Sequence, residues 1–330
     1  MGWFERLTGF RETSPAQVRE RLTIAGDKLT SRVNGRSWTY GKLTTPSLSE
    51  LRRAVGKLDG DRGRLTVREA IADVGELHAD PANAGATFQV ASQFNLLEMV
   101  DLEVTPEAGV GIYDGDPTQG PRCAIAAGAG TIYRNYFAPV NGQVGQSAEN
   151  QIDCLADLGA ALGNADGRLW AMRNGYAIAS REGLREISSR LAAASAAELD
   201  GLRERLRVGV QHHTQVTIGA AEHCVTQVYG SALPVAYSDC GAAEGERFAR
   251  LVLEASYEAT LLAAMLNAAE TGNRRVFLTL LGGGVFGNEL GWILDAVGRA
   301  CDRGWGLDVV VVSYRRSRPE VRALVERYRG

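Results

Sequence analysis

The clearest pattern of apolar and polar positions lies in the last ninety residues. Uninterrupted apolar runs at 276–281 and 307–312 read as buried strands. They alternate with segments 244–270, 288–303 and 318–328, whose apolar residues recur at helical spacing. Strands separated by helices of this length pair in parallel through crossovers, so the pattern predicts an α/β fold. A further buried strand is predicted at 86–92, and two more at 208–218 and 224–237, the second turning near Leu233-Pro234. Residues 151–205 read as helical, with Ile152, Leu155, Leu158 and Leu162 on one face and an Ala-, Glu-, Leu- and Arg-rich run from 182 to 207.

The first 80 residues read as a mixed segment. Ser14-Pro15 ahead of Val18, Leu22 and Ile24 predicts an N-capped helix. Asn34-Gly35 between two short apolar runs predicts a two-residue hairpin turn. Ser47 and Glu50 form a capping box for a helix running to about Leu58, with a strand at 64–70 after it. Two domains are expected: 1–80 as an α+β extension packed on the core, and 81–330 as the main domain with a helical insert at 151–205. Residues 100–150 show only weak periodicity and many glycines, and a loop of that length in a compact domain is usually functional.

Composition narrows the function classes. The chain has 330 residues, 45% apolar and 23% charged, with 36 basic and 39 acidic side chains and a net charge of −3. That balance argues against dedicated nucleic-acid binding, which needs clustered basic charge. No apolar stretch approaches the ~20 residues of a membrane span. The start, Met1 to Arg6, lacks a signal-peptide layout, so a soluble cytoplasmic protein is expected, or an exported effector without such a peptide. Five scattered cysteines (Cys123, Cys154, Cys224, Cys240, Cys301) and the histidines 78, 212, 213 and 223 match neither a disulfide framework nor a metal site. No metal and no cofactor is expected.

Two constellations carry chemistry. Gly282-Gly283-Gly284-Val285-Phe286-Gly287-Asn288 lies between a buried strand and a helix. Glycines there let backbone N–H groups approach a phosphate or diphosphate, and the helix N-terminus adds partial positive charge. The same residues match GxGxxG, but only one strand follows, and it ends in Tyr314-Arg315-Arg316 where a dinucleotide fold would place an acid. A nicotinamide-dependent oxidoreductase is therefore a distant third reading. The other constellation runs from Tyr113-Asp114-Gly115-Asp116 through Thr118-Gln119-Gly120-Pro121 to Tyr133-Arg134-Asn135-Tyr136-Phe137. Loop carboxylates beside a phosphate cradle suit cleavage at a sugar's anomeric carbon. Asp116 leads as the catalytic acid, then Asp114, with Glu107 and Asp101 behind; Asx-turn roles are the plainer explanation for such acids. Asn95 and Glu98, at the end of the 86–92 strand, could serve a ribose and a water, or could cap a turn.

Together, the strand entering Asn95, the late strand–glycine loop–helix with Phe286 inside it, the TQGP and YRNYF stretches (118–121 and 133–137) and the stretch Gln227–Tyr237 resemble the macrodomain superfamily. The resemblance is nearest to its divergent poly(ADP-ribose)-glycohydrolase-like members, including bacterial effectors that remove ADP-ribose from arginine on ubiquitin. It covers 86–140 and about 208–330. It implies a three-layer αβα fold with a mixed, largely parallel sheet, and ADP-ribose as ligand or product. The diphosphate would lie on Gly282 to Asn288, with Phe286 near the distal ribose. Asn95, Thr118, Gln119, Gly120 and Arg134 would contact ligand, and Asp116, Asp114 or Glu98 would face the scissile bond. The chain departs from the family after Asn95, where Leu96-Leu97-Glu98 replaces the glycine run, and it lacks the paired glutamates of the glycohydrolases. The expected function is an ADP-ribosylhydrolase acting on an ADP-ribosylated protein, arginine first among side chains and ubiquitin one candidate partner. The alternative is a non-catalytic ADP-ribose reader.

Overall fold

The computed structural model describes every residue except 60–62, 239–240, 304–305 and 330. In chain order the elements are α1 (Trp3–Thr8), α2 (Pro15–Arg21), β1 (Leu22–Ala25), β2 (Lys28–Ser31), β3 (Ser37–Thr39), β4 (Lys42–Thr44), α3 (Leu48–Val55), β5 (Thr66–Ile71), α4 (Val74–Ala79) and β6 (Thr87–Ala91). Next come α5 (Gln119–Ala126), α6 (Gly128–Tyr136), β7 (Pro139–Val140), β8 (Gln143–Val144), α7 (Ala156–Ala161), β9 (Trp170–Arg173), β10 (Tyr176–Ala179), α8 (Arg181–Ala193) and α9 (Ala196–Arg203). The chain closes with β11 (Gly209–Gln215), β12 (Cys224–Gly230), α10 (Ala242–Thr271), β13 (Arg275–Leu278), α11 (Leu290–Cys301), β14 (Asp308–Ser313) and α12 (Pro319–Arg327).

Seven strands form the main sheet in the order β4-β11-β12-β6-β13-β14-β5. From β12 to β5 every neighbouring pair is parallel, while β11 runs antiparallel to both β12 and β4. Alternation along the central strands separates two helical layers. On β6, Phe88 stacks on His78 of α4, whereas Gln89 accepts from Thr279 and donates to Thr260 of α10. On β12, Gln227 donates to the Cys123 carbonyl of α5, and its neighbour Thr226 donates to Asn267 of α10. The arrangement is therefore the expected three-layer αβα with a mixed, largely parallel sheet. Helix α10 spans one face, and its fully buried Glu258 is held by Arg52, Arg299 and Arg303 from neighbouring elements. No helix among the described residues is long and apolar enough to cross a membrane.

Local signals were kept at several places. Ser14 caps α2, and the Ser47–Glu50 capping box opens α3, which ends at Val55 and not near Leu58. Residues 1–80, expected as an extension, supply both edges of the sheet, β4 and β5. Residues 3–40 build a second apolar core, in which Trp3, Phe4, Leu7, Phe10 and Trp38 pack with Leu97, Met99, Tyr113, Ile132 and Tyr136, whereas α3 and α4 pack on the main one. Asn34-Gly35 is not a two-residue turn, because the Ser31 N–H donates to the Arg36 carbonyl across four residues, and only Gly35 of the pair has positive φ. The tight Asn-Gly turns lie elsewhere. Asn141-Gly142 joins β7 to β8, and Asn174-Gly175 joins β9 to β10, with φ positive at both residues of each pair. The second hairpin interrupts the insert expected to be helical. Conversely, α5 and α6 occupy a stretch expected as loop.

Candidate active site

A cavity of about 590 Å³ opens at the carboxyl ends of β6, β13 and β14. That size suits a ligand of nucleotide dimensions, and this edge of a parallel sheet is where α/β folds bind ligands. Three neighbouring strands deliver its walls. The segment after β6 brings Glu98, the loop after β13 brings Gly282 to Phe286, and the loop after β14 brings Tyr314, Arg315 and Arg318. The N-terminus of α5 closes another side with Asp116, Thr118, Gln119 and Gly120.

Glu98 is set by a tight knot of chain. The Gln93 side chain accepts from the Met99 N–H at 2.9 Å and donates to the Met99 carbonyl at 3.1 Å, pinning residues 93–99 into a closed loop. Leu96 inside it has φ of 66°, a strained value for a residue with a Cβ. Its carbonyl accepts from Arg134 Nε at 3.2 Å. Arg134 is 1% exposed, lies 3.6 Å from the Tyr229 ring centroid and also donates to Thr131 and Gln211. The Glu98 N–H donates to Tyr113 Oη at 2.9 Å. The carboxyl group is thereby held at the cavity wall while buried from water, and its Oε1 has no hydrogen-bond partner in the protein. Burial pushes its pKa well above the carboxylate range; Asp116 adds to the rise and the Arg134 guanidinium opposes it. That shift favours the protonated form of Glu98, the form able to give a proton to a group in the cavity. Gln119 Nε2, beside it, is likewise buried without a partner.

The glycine loop presents backbone donors. Gly282 and Gly287 both have φ of 73°, and the Asn288 N–H closes the loop on the Gly282 carbonyl. Among the described residues, no protein acceptor meets the N–H groups of Gly284, Val285 or Phe286. A Cβ on Gly284 would meet nothing within 4 Å. Successive free N–H groups on such a turn form an anion-binding concavity. Helix α11 begins only at Leu290, with Glu289 at its N-cap, so the expected contribution of a helix N-terminus is reduced. Above the loop, Phe286, Tyr176 and Tyr237 stand in mutual ring contact, with centroids 5.4 to 6.0 Å apart. They offer an apolar face to a sugar or base.

The sequence-predicted residues divide accordingly. Asp116, Glu98, Thr118, Gln119, Gly120, Gly282, Gly283, Gly284, Val285 and Phe286 line one cavity. Four others are diverted to structural tasks. Asp114 lies outside the cavity, capping α1 by accepting from the Trp3 N–H at 2.6 Å. Asn95 accepts from the Leu97 N–H and donates to Gln151, bracing the knot. Arg134 sits behind the wall. Asn288 donates to the Leu233 carbonyl at 2.8 Å and staples the glycine loop to the 231–235 segment. Gly287 turns the loop against Ala236 and does not line the cavity. Asp116 also accepts from the Thr118 N–H, so its Asx-turn role and its place at the cavity coexist. Of the acids, Glu98 has the environment a proton donor needs. Its signal in the sequence is an acid set among Leu96, Leu97 and Met99. Tyr176 escaped the sequence reading, though the Asn174-Gly175 hairpin signal would have found it, and Tyr237 was named only as the end of the 227–237 stretch, with no role at the site. Cys123, Cys154, Cys224 and Cys301 are free thiols, while Cys240 lies outside the described residues.

Fold and site together define an α/β protein with a nucleotide-sized cavity, lined by a glycine loop with unclaimed backbone N–H groups and by a buried carboxyl group. No family model matches the chain, and no curated protein matches it. Among solved structures it is similar to the poly(ADP-ribose) glycohydrolase of Thermomonospora curvata bound to the inhibitor ADP-HPD. There the identity is 14% and the TM-score 0.46, over 95% of this chain and 96% of that one. It is also similar to the poly(ADP-ribose) glycohydrolase of Deinococcus radiodurans in complex with ADP-ribose, at 11% identity and a TM-score of 0.43, over 97% of this chain and 98% of that one.

Proposed function

We propose that the chain is an ADP-ribosyl glycohydrolase, cleaving the bond between the anomeric carbon of ADP-ribose and the group it modifies. The observation that carries this reading is the placement of Glu98, buried and unpartnered at Oε1, in the same cavity as the unclaimed N–H groups of Gly284 to Phe286. The diphosphate rests on those N–H groups, and the distal ribose lies between the aromatic cluster and Glu98. Glu98 gives its proton to the departing atom as the glycosidic bond breaks. A water adds to the anomeric carbon, and Asp116, half-buried across the cavity, takes the water's proton. The products are ADP-ribose and the unmodified acceptor.

An arginine-linked protein substrate fits best within this reading, because the Asp116 carboxylate at the cavity suits a cationic guanidinium leaving group; ubiquitin is one candidate target. Glu98→Gln tests the reaction. Release of ADP-ribose from modified protein falls by about 10²–10⁴-fold, while calorimetric binding of ADP-ribose is kept. Turnover unchanged in this variant removes Glu98 as the acid. ADP-ribose binding without release from any modified substrate by the wild type leaves a reader module, and binding of NADH in preference to ADP-ribose revives the oxidoreductase reading.

A further inference from the structure

The loop after β14 carries features that an ADP-ribose ligand alone leaves unused. Arg315 and Arg318 line the cavity, and among the described residues neither makes an ion pair. The carboxylate that holds this loop, Glu69, is engaged otherwise. Glu69 Oε1 accepts from Ser313 Oγ and Oε2 from Ser317 Oγ, both at 2.6 Å, so this carboxylate staples the two ends of the loop. Arg315 adopts φ of 66°, and its guanidinium stands 4.8 Å from the Tyr314 ring centroid. The loop is therefore held in shape with two guanidinium groups available.

Their place along the sheet says what they would meet. The walls follow the strand order, with Glu98 from β6, the glycine loop from β13 and the arginines from β14. Neighbouring strands lie about 4.8 Å apart. A ligand with its scissile carbon at Glu98 and its diphosphate on the glycine loop carries its adenosine end over β14. Adenosine is neutral, and the diphosphate already faces backbone donors. Two free cations beyond it match a second anionic group on the adenosine side.

We propose that Arg315 and Arg318 form a subsite for a phosphate carried on the adenosine end of the ligand. The site then prefers ADP-ribose bearing a phosphate monoester on the adenosine ribose over the bare molecule. The inference rests on the ADP-ribose reading of the cavity. The contact is a phosphate oxygen accepting from guanidinium groups.

Calorimetric titration of the full chain with ADP-ribose and 2′-phospho-ADP-ribose decides the matter. The phosphorylated ligand is expected to bind about tenfold tighter than ADP-ribose, as befits hydrogen bonds to charged groups at an open rim. In Arg315→Gln/Arg318→Gln, checked for an unchanged melting temperature, the ratio between the ligands is expected to fall to about one. Equal binding of both by the wild type overturns the inference, and so does a ratio that survives in the variant because both ligands weaken alike. Absence of ADP-ribose binding by the wild type is a different failure, which removes the glycohydrolase reading itself.

Discussion

Gly120 offers the sharpest test of how the fold holds its acid. It is the second residue of α5 and stands against the last residue of β6 and the Glu98 carboxyl. A Cβ built on it would lie 2.6 Å from Glu98 Oε2 and 3.0 Å from Glu98 Cδ, and closer still to the Ala91 carbonyl oxygen. Ala91 belongs to a central strand paired through the ladder with Gly230, so its backbone cannot retreat cheaply. To reach even 3.0 Å, Oε2 must move by about 0.4 Å, and the carbonyl clash pushes α5 itself outward. Overpacking of this kind costs about 1–3 kcal/mol, partly offset by the better helix propensity of alanine, worth up to about 1 kcal/mol. For a chain of this size Gly120→Ala should then lower the melting temperature by only a few degrees, at roughly 2 °C per kcal/mol. Activity should fall much further, because a catalytic group displaced by a fraction of an ångström to 1 Å loses on the order of 10²-fold. Differential scanning calorimetry and release of ADP-ribose from a modified protein separate the two effects. Wild-type turnover in Gly120→Ala would refute the argument that this contact positions Glu98.

Further outcomes follow from other contacts. Arg134→Met leaves the Leu96 carbonyl and Gln211 Oε1 without their donor in the interior, costing about 2–4 kcal/mol by urea denaturation. Because Arg134 opposes the rise in the Glu98 pKa, its loss also moves the alkaline limb of the pH–rate profile upward; an unmoved limb separates Arg134 from Glu98. Gly284→Glu abolishes ADP-ribose binding with little change in stability, since its Cβ points into open space; retained binding takes the diphosphate off this loop. His78 is fully buried between Val74 and Gln227, and desolvation pushes its pKa down to about 4. The unfolded chain, with an ordinary His pKa near 6.5, binds the proton first. Stability from this group is therefore complete above that pH and lost as pH falls toward about 4, by up to about 3 kcal/mol. Urea midpoints against pH for the wild type and His78→Leu should show this acid slope in the first and a flatter one in the second; parallel curves would sink the assignment.

The β-α alternation of the last ninety residues and the glycine loop were readable in the sequence because their causes are local. Buried parallel strands must be continuously apolar, helices must repeat at 3.6, and a backbone that approaches an anion must shed its side chains. The capping residues Ser14 and Ser47 were readable for the same reason. Helices α5 and α6 were not, because Gly120, Gly128 and Gly130 weaken the local helical signal, and these helices exist through packing. Gly128 and Gly130 admit Trp3, Leu7 and Gln211 so closely that a Cβ would collide with them. The acid that the proposed reaction uses was singled out by tertiary structure alone. In sequence Asp114, Asp116 and Glu98 are three carboxylates near a candidate loop; in space one caps a helix, one shares its oxygen with a turn, and one loses its water. Protonation state depends on the dielectric and charges gathered around a group from distant segments, and no spacing along the chain records that.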